Sequence, residues 1–189
     1  MDELKKQISS YFGLSNKRLD EIVALFAETE LNKGAYFIKT GQYCDKLSFI
    51  QSGFIRVFSQ WNEKEVTQWI GGKDYFLTEI NSFLFDQPAR WNIRALTDCK
   101  LFTLDKTNYR HLKEIVPNWD EIEKKIIAGC FVTLENRIFD QLSLSAEERY
   151  NKLFHQNREL LNQVPLQYIA SMLGMSPETF SRIRNKQNS

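Results

Sequence analysis

The chain has 189 residues, 42% of them hydrophobic, so it can bury a core without disulfide or metal staples. Lys and Arg number 25 against 24 Asp and Glu, a formal net charge of +1, which excludes recognition of nucleic acid or a membrane through a global field and leaves only local clustering. No apolar run reaches the roughly 18 residues of a membrane helix, and the start Met1-Asp2-Glu3-Leu4-Lys5-Lys6 lacks the apolar stretch of a signal peptide, so a soluble, cytoplasmic protein without a membrane partner is expected.

In chain order, Leu4, Ile8 and Phe12, then Leu19, Ile22, Val23 and Phe26 after the turn-like Gly13-Leu14-Ser15-Asn16, predict two short helices. From about Glu28 to Asp105 the texture changes to short apolar runs. Five of the eight glycines, Gly34, Gly41, Gly53, Gly71 and Gly72, punctuate a string of strands. Leu47 and Phe49 share one strand face, Ile55 and Val57 share one face of the next, and Gln51-Ser52-Gly53 is expected to close a hairpin between them. Glu65 to Ile70, Asn92 to Ala95 and Cys99 to Leu104 read as further strands, giving a compact antiparallel barrel or roll. Its aromatic residues, Phe49, Phe54, Phe58, Trp61, Trp69, Tyr75 and Phe76, are expected in the core.

Cys44, Cys99 and Cys130 are odd in number, far apart and form no CxxC pair, while His111 and His155 are distant from each other and from any cysteine. No metal site, catalytic pair or cofactor site is therefore expected.

After Pro117, Trp119 to Leu142 predicts a long helix. Ile127, Phe131, Leu134, Ile138 and Leu142 form one apolar stripe, with Ile122, Ile126 and Cys130 on a neighbouring one. Two stripes need two partners: one covers the roll and the other meets the same helix of a second subunit in a parallel homodimer, the alternative being a helix buried within its own chain.

Residues Leu166 to Asn185 have the pattern of a helix-turn-helix. Ala170 is the small residue where two helices cross, Gly174 suits a left-handed turn, and Ile169, Leu173, Phe180 and Ile183 fill the shared core. Ser176 can cap the second helix, Pro177 suits its first turn and Glu178 complements its dipole. Its outward face carries Glu178, Ser181, Arg182 and Lys186, with Arg184 nearby, a surface suited to major-groove edges and phosphates.

A roll, a long apolar helix and a C-terminal helix-turn-helix, in that order, resemble the cyclic AMP receptor protein/FNR family of bacterial transcription regulators. Leu31-Asn32-Lys33-Gly34, Gly41 and the run from Leu47 to Val57 look like the family's opening strands. Phe83 to Ala95 looks like its phosphate-binding cassette region, and Met175-Ser176-Pro177-Glu178-Thr179-Phe180-Ser181-Arg182 like its recognition helix. The resemblance implies an α+β chain: a cyclic nucleotide-binding-like β-roll (a double-stranded β-helix) over residues 1–118, a dimerisation helix over 119–143 and a helix-turn-helix domain over 144–189. It implies double-stranded DNA and a second copy of the chain as partners, RNA polymerase as a further candidate, and DNA contacts from Ser176, Glu178, Thr179, Ser181, Arg182, Arg184 and Lys186.

The cassette departs from the family pattern. Relatives meet the cyclic phosphodiester with Gly-Glu and then Arg-Ser or Arg-Thr. Here Thr78-Glu79 stands near the first pair, and anchoring on Arg94-Ala95 puts Ala89 at the arginine position and Arg90 at the serine. Strand side chains alternate faces, so Arg90 is expected to point away from the pocket unless a bulge after Pro88 restores the register. Cyclic-nucleotide sensing is not expected; an unknown small effector, or none, takes its place. The chain stops at Ser189, where relatives often continue into a β-hairpin wing, so wing contacts to phosphates are expected to be absent. Two other readings stay open: a ligand-binding or protein-interaction roll whose helix-turn-helix has lost DNA, and a cupin-like enzyme, which needs histidines and carboxylates clustered on adjacent strands.

Overall fold

The structure, a computed structural model, describes residues 4–6, 9 and 16–187; Ile8, Phe12 and Gly13-Leu14-Ser15, on which the first predicted helix and its turn rest, lie outside them. Helix α1 (Asn16–Val23) leads into eight strands: β1 (Ala27–Leu31), β2 (Tyr36–Ile38), β3 (Lys46–Ser52), β4 (Ile55–Trp61), β5 (Lys64–Gly71), β6 (Phe76–Leu77), β7 (Asn92–Ala95) and β8 (Cys99–Asp105). A short helix α2 (Ile80–Phe85) interrupts them. After the strands come α3 (Lys106–Ile115), α4 (Trp119–Ser143), α5 (Ala146–Gln156), α6 (Arg158–Gln163), α7 (Leu166–Met172) and α8 (Pro177–Gln187).

The strands form two four-stranded antiparallel sheets, ordered β1-β8-β3-β6 and β2-β7-β4-β5. Period-two alternation divides each strand between layers. Ile50, Cys99 and Leu101 of the first sheet meet Ile55, Val57, Ile93 and Ala95 of the second inside the roll. Phe49, Phe102 and Leu104 face outward, under a layer made by Ile22, Phe26, Phe83, Leu112 and Trp119. Strands β3 and β8 are thus covered on both faces.

The expected hairpin at Gln51-Ser52-Gly53 is not one. Strands β3 and β4 belong to different sheets, and the chain crosses between them at Gly53, whose φ of +90° is free only to glycine. The bend seats on the β7–β8 turn, where the Phe54 amide donates to Thr97 Oγ1 at 2.9 Å. The tight hairpin is β4–β5, turned by Asn62 and Glu63, both at positive φ as a two-residue turn matching the strand twist requires. That hairpin exposes Trp61 (71%), so this aromatic lies outside the core, and Tyr75 is likewise exposed. Helix α3 follows β8 without a break and is capped by Asp105, whose side chain accepts from the Asn108 amide.

A Cβ at Gly53 would lie 2.5 Å from the Asp98 carbonyl oxygen and 2.6 Å from Cys99 Sγ, whereas at Gly34, also left-handed, it meets open space. Gly53→Ala should therefore lower unfolding free energy by about 2 to 5 kcal/mol and Gly34→Ala by about 1 to 2, compared by urea denaturation.

Candidate functional site

The helix-turn-helix is built as its spacing predicts. Ile169, Ala170, Leu173, Phe180 and Ile183 are buried together with Tyr150, Leu160, Leu161 and Val164 of the preceding helices. Gly174 adopts φ +66°, and the Met175 amide reaches back to the Ala170 carbonyl at 3.0 Å, closing α7 in a left-handed cap. Arg149 of α5 fastens the turn, its Nε donating to the Leu173 carbonyl at 2.9 Å and a terminal nitrogen to that of Leu144 at 2.5 Å. At the start of α8 the Thr179 amide donates to Ser176 Oγ at 3.2 Å. The Ser176 hydroxyl and the Glu178 amide hold the Glu178 carboxyl below the usual glutamate range.

Along α8, Glu178, Ser181 and Arg182 are exposed on one face. Asn185, one turn further and also exposed, shares that face at helical spacing; its polar character in the run 178, 181, 182, 185 was the available signal, and sequence reasoning passed over it. The other expected contacts sit on the flanks. Lys186 Nζ lies 3.0 Å from Glu147 Oε1, Arg184 is half-buried, and Thr179 belongs to the cap. Reaching a phosphate from Lys186 means exchanging a surface ion pair, a small cost.

Helix α4 presents two different faces. Ile122 and Ile126 pack on the cluster that covers the roll, so these two residues of the expected dimer stripe face their own chain. Ile127, Phe131, Leu134, Ile138 and Leu142 are exposed, with Val132 and Phe139 beside them. Cys130 is exposed, while Cys44 and Cys99 are buried, and all three are free thiols.

In the cassette region Ala89 is buried and Arg90 exposed. Ala89 is fixed in a ladder with the loop opposite, its amide donating to the Gln42 carbonyl and its carbonyl accepting from Gly41, both at 2.8 Å. Glu79 is only 3% exposed, and its carboxylate is engaged, accepting from the Ser82 amide at 2.7 Å and the Arg90 amide at 3.4 Å. Thr78 Oγ1 donates to the Lys46 carbonyl at 2.9 Å. One of the amides at the α2 N-terminus, that of Ser82, is therefore already taken by Glu79. A cleft of about 390 Å³ along the chain from Phe37 to Lys46 adjoins these cassette contacts, and one of about 720 Å³ lies at the α3–α4 junction between Lys113 and Glu121. Among the described residues no cluster of His, Cys, Asp and Glu suits a metal ion, and no helix is long and apolar enough to cross a membrane.

Residues 28–114 match the cyclic nucleotide-binding domain family. No curated protein matches the chain. Among solved structures, the c-di-GMP-responsive global regulator CLP of Xanthomonas campestris is similar over 92% of both chains, at 16% identity and a TM-score of 0.69. FixK2 of Bradyrhizobium japonicum covers 86% of this chain and 84% of its own at 14% identity and TM-score 0.72. The Thermus thermophilus Catabolite Activator Protein covers 93% and 84% at 22% identity and TM-score 0.58. These neighbours are regulators of the cyclic AMP receptor protein/FNR family, and the chain shares their fold of roll, long helix and further helices.

Within the roll, Glu79 acts on its own backbone. Glu79→Ala should lower stability by about 0.5 to 2 kcal/mol through loss of the helix cap, whereas Arg90→Ala should stay within about 0.5 kcal/mol of wild type. Thermal unfolding of the two variants in parallel checks the contrast.

Proposed function

We propose that this chain is a dimeric, DNA-binding transcriptional regulator of the cyclic AMP receptor protein/FNR type whose roll does not read cyclic AMP. The observation that carries the reading is the face of α8: a capped helix, held on a well-packed core, turns Glu178, Ser181, Arg182 and Asn185 outward. A helix of this kind enters the major groove with its first turns, where an Arg fork meets the two acceptors of guanine. Two copies in a dimer meet successive grooves about 34 Å apart, so the preferred site is pseudo-palindromic. Arg182→Ala should cost about 1 to 3 kcal/mol on the preferred site and much less on random duplex, while Lys186→Ala weakens both similarly and flattens the salt dependence. Fluorescence titrations at several salt concentrations separate the two, and absence of binding to any duplex at low salt contradicts the reading.

The exposed stripe of α4 supports the dimer. Its residues repeat at the three–four spacing of a helix seam, and a second copy of the same stripe supplies the apolar partner it lacks among the described residues. Phe131→Glu should shift the sedimentation coefficient toward monomer without loss of fold, whereas Ile126→Glu, which faces the roll, should destabilise the chain itself.

The engaged carboxylate of Glu79, and an Arg90 that is exposed and one residue past the family's arginine position, support insensitivity to cyclic nucleotides. Calorimetry with cyclic AMP and cyclic GMP should give no binding near micromolar concentration; binding there, abolished by Arg90→Ala, contradicts this part of the reading.

A further inference from the structure

The first helix of the helix-turn-helix is docked on the outer face of the second sheet of the roll, where Arg56, Arg94 and Thr67 meet its Tyr168 and Ser171. Arg56 of β4 is 1% exposed, yet it is a full charge. Its Nε donates to Thr67 Oγ1 at 2.9 Å and a terminal nitrogen meets Glu65 at 2.5 Å. Its guanidinium carbon lies 4.2 Å from the ring centre of Phe58 and 3.8 Å from that of Tyr168. Tyr168, on α7, is therefore the lid that completes the burial of Arg56. Its hydroxyl stands 3.2 Å from a terminal nitrogen of Arg94, which pairs across the sheet with Arg56. One turn along α7, Ser171 Oγ accepts from the Thr67 amide at 2.9 Å.

We propose that Tyr168 is a positioning residue: gripped on its ring by Arg56 and on its hydroxyl by Arg94, it sets the angle at which the helix-turn-helix sits on the roll. It thereby sets the angle at which α8 is offered to DNA, a consequence that rests on the DNA-binding reading above. Buried ion pairs and cation–π contacts are directional, so a tyrosine held at both ends selects one orientation where apolar packing alone tolerates several. The same two strands connect this grip to the roll interior. Arg56 alternates with Ile55 and Val57, and Arg94 with Ile93 and Ala95, whose side chains form the inner core. Strand β7 also begins just after Ala89 and Arg90, so a displacement of the cassette reaches Arg94 along a single strand.

The test uses the full-length protein with two independent readouts. Spin labels at Lys100→Cys in β8 and Asn162→Cys in α6, both exposed, in a Cys130→Ser background and diluted into unlabelled chain, report the roll-to-helix distance. The distribution should be narrow with Tyr168, moderately broadened with Tyr168→Phe, which keeps the ring on Arg56 but loses the hydroxyl contact to Arg94, and broadest or displaced with Tyr168→Leu. Arg94→Ala, which lies on the roll and outside the helical core, should broaden it in the same direction. Discrimination between a selected site and random duplex should fall at least about fivefold in Tyr168→Leu and by less in Tyr168→Phe. Unchanged distances in both Tyr168→Leu and Arg94→Ala overturn the grip; changed distances with unchanged discrimination overturn its role in DNA recognition. A wild type that binds no DNA overturns the regulator reading, and the distances then still decide whether Tyr168 orients the domain.

Discussion

The arrangement of this molecule depends on how one strand edge is met. Strand β5 ends the second sheet, so its outer backbone groups have no neighbouring strand. Val57 pairs with Trp69 and Phe58 with Thr67, which leaves Gln68 as an unpaired bulge residue. The Gln68 carbonyl accepts from Arg137 of α4, whose guanidinium lies 4.1 Å from the ring centre of Trp69, and the Thr67 amide is taken by Ser171 of α7. Burial pulls the Arg137 pKa down from the usual arginine range, opposed by the neighbouring Tyr75. An edge that would otherwise invite another strand instead becomes the wall on which both the long helix and the helix-turn-helix are mounted. Phe54, Ile70 and Leu96 extend that wall into the helical core.

The same economy explains the cassette. A roll that reads a cyclic nucleotide must keep polar groups inside available to a phosphodiester. Here the buried polar groups have partners within the chain: Glu79 caps α2, Ser82 Oγ accepts from the Cys44 amide at 2.7 Å, and Ser48 and Thr103 meet at 2.8 Å. A buried group that already has its hydrogen bonds gains little by exchanging them for a ligand. The polar capacity of the second sheet has moved to its outer face, where Arg56 and Arg94 receive Tyr168.

The parts visible in the sequence were those set by local demands. Ala170, Gly174, Ser176 and the apolar spacing of α7 and α8 answer to a crossing, a turn and a cap within a short stretch, and each is where that logic puts it. What was not visible depends on contacts between distant segments. Gly53 looks like the centre of a hairpin, but whether a bend pairs two strands or passes the chain between sheets is decided by the Thr97-Asp98 turn it rests on. The true hairpin lacked a glycine at Asn62-Glu63 and gave no signal. Nothing around Arg56 marks it for burial, because its lid arrives on α7, and the division of α4 into a roll-facing Ile126 and an outward Ile127 depends on where the helix is docked.

Amide hydrogen exchange at Thr67 tests most directly whether the edge of β5 holds the helix-turn-helix on the roll. The account predicts that in the intact protein the Thr67 amide exchanges as slowly as its neighbours in the β4–β5 ladder, and that Ser171→Ala accelerates it by about tenfold or more while those neighbours stay protected. A Thr67 amide that exchanges at the rate of an open edge strand in the wild type, with the helical core itself protected, contradicts it.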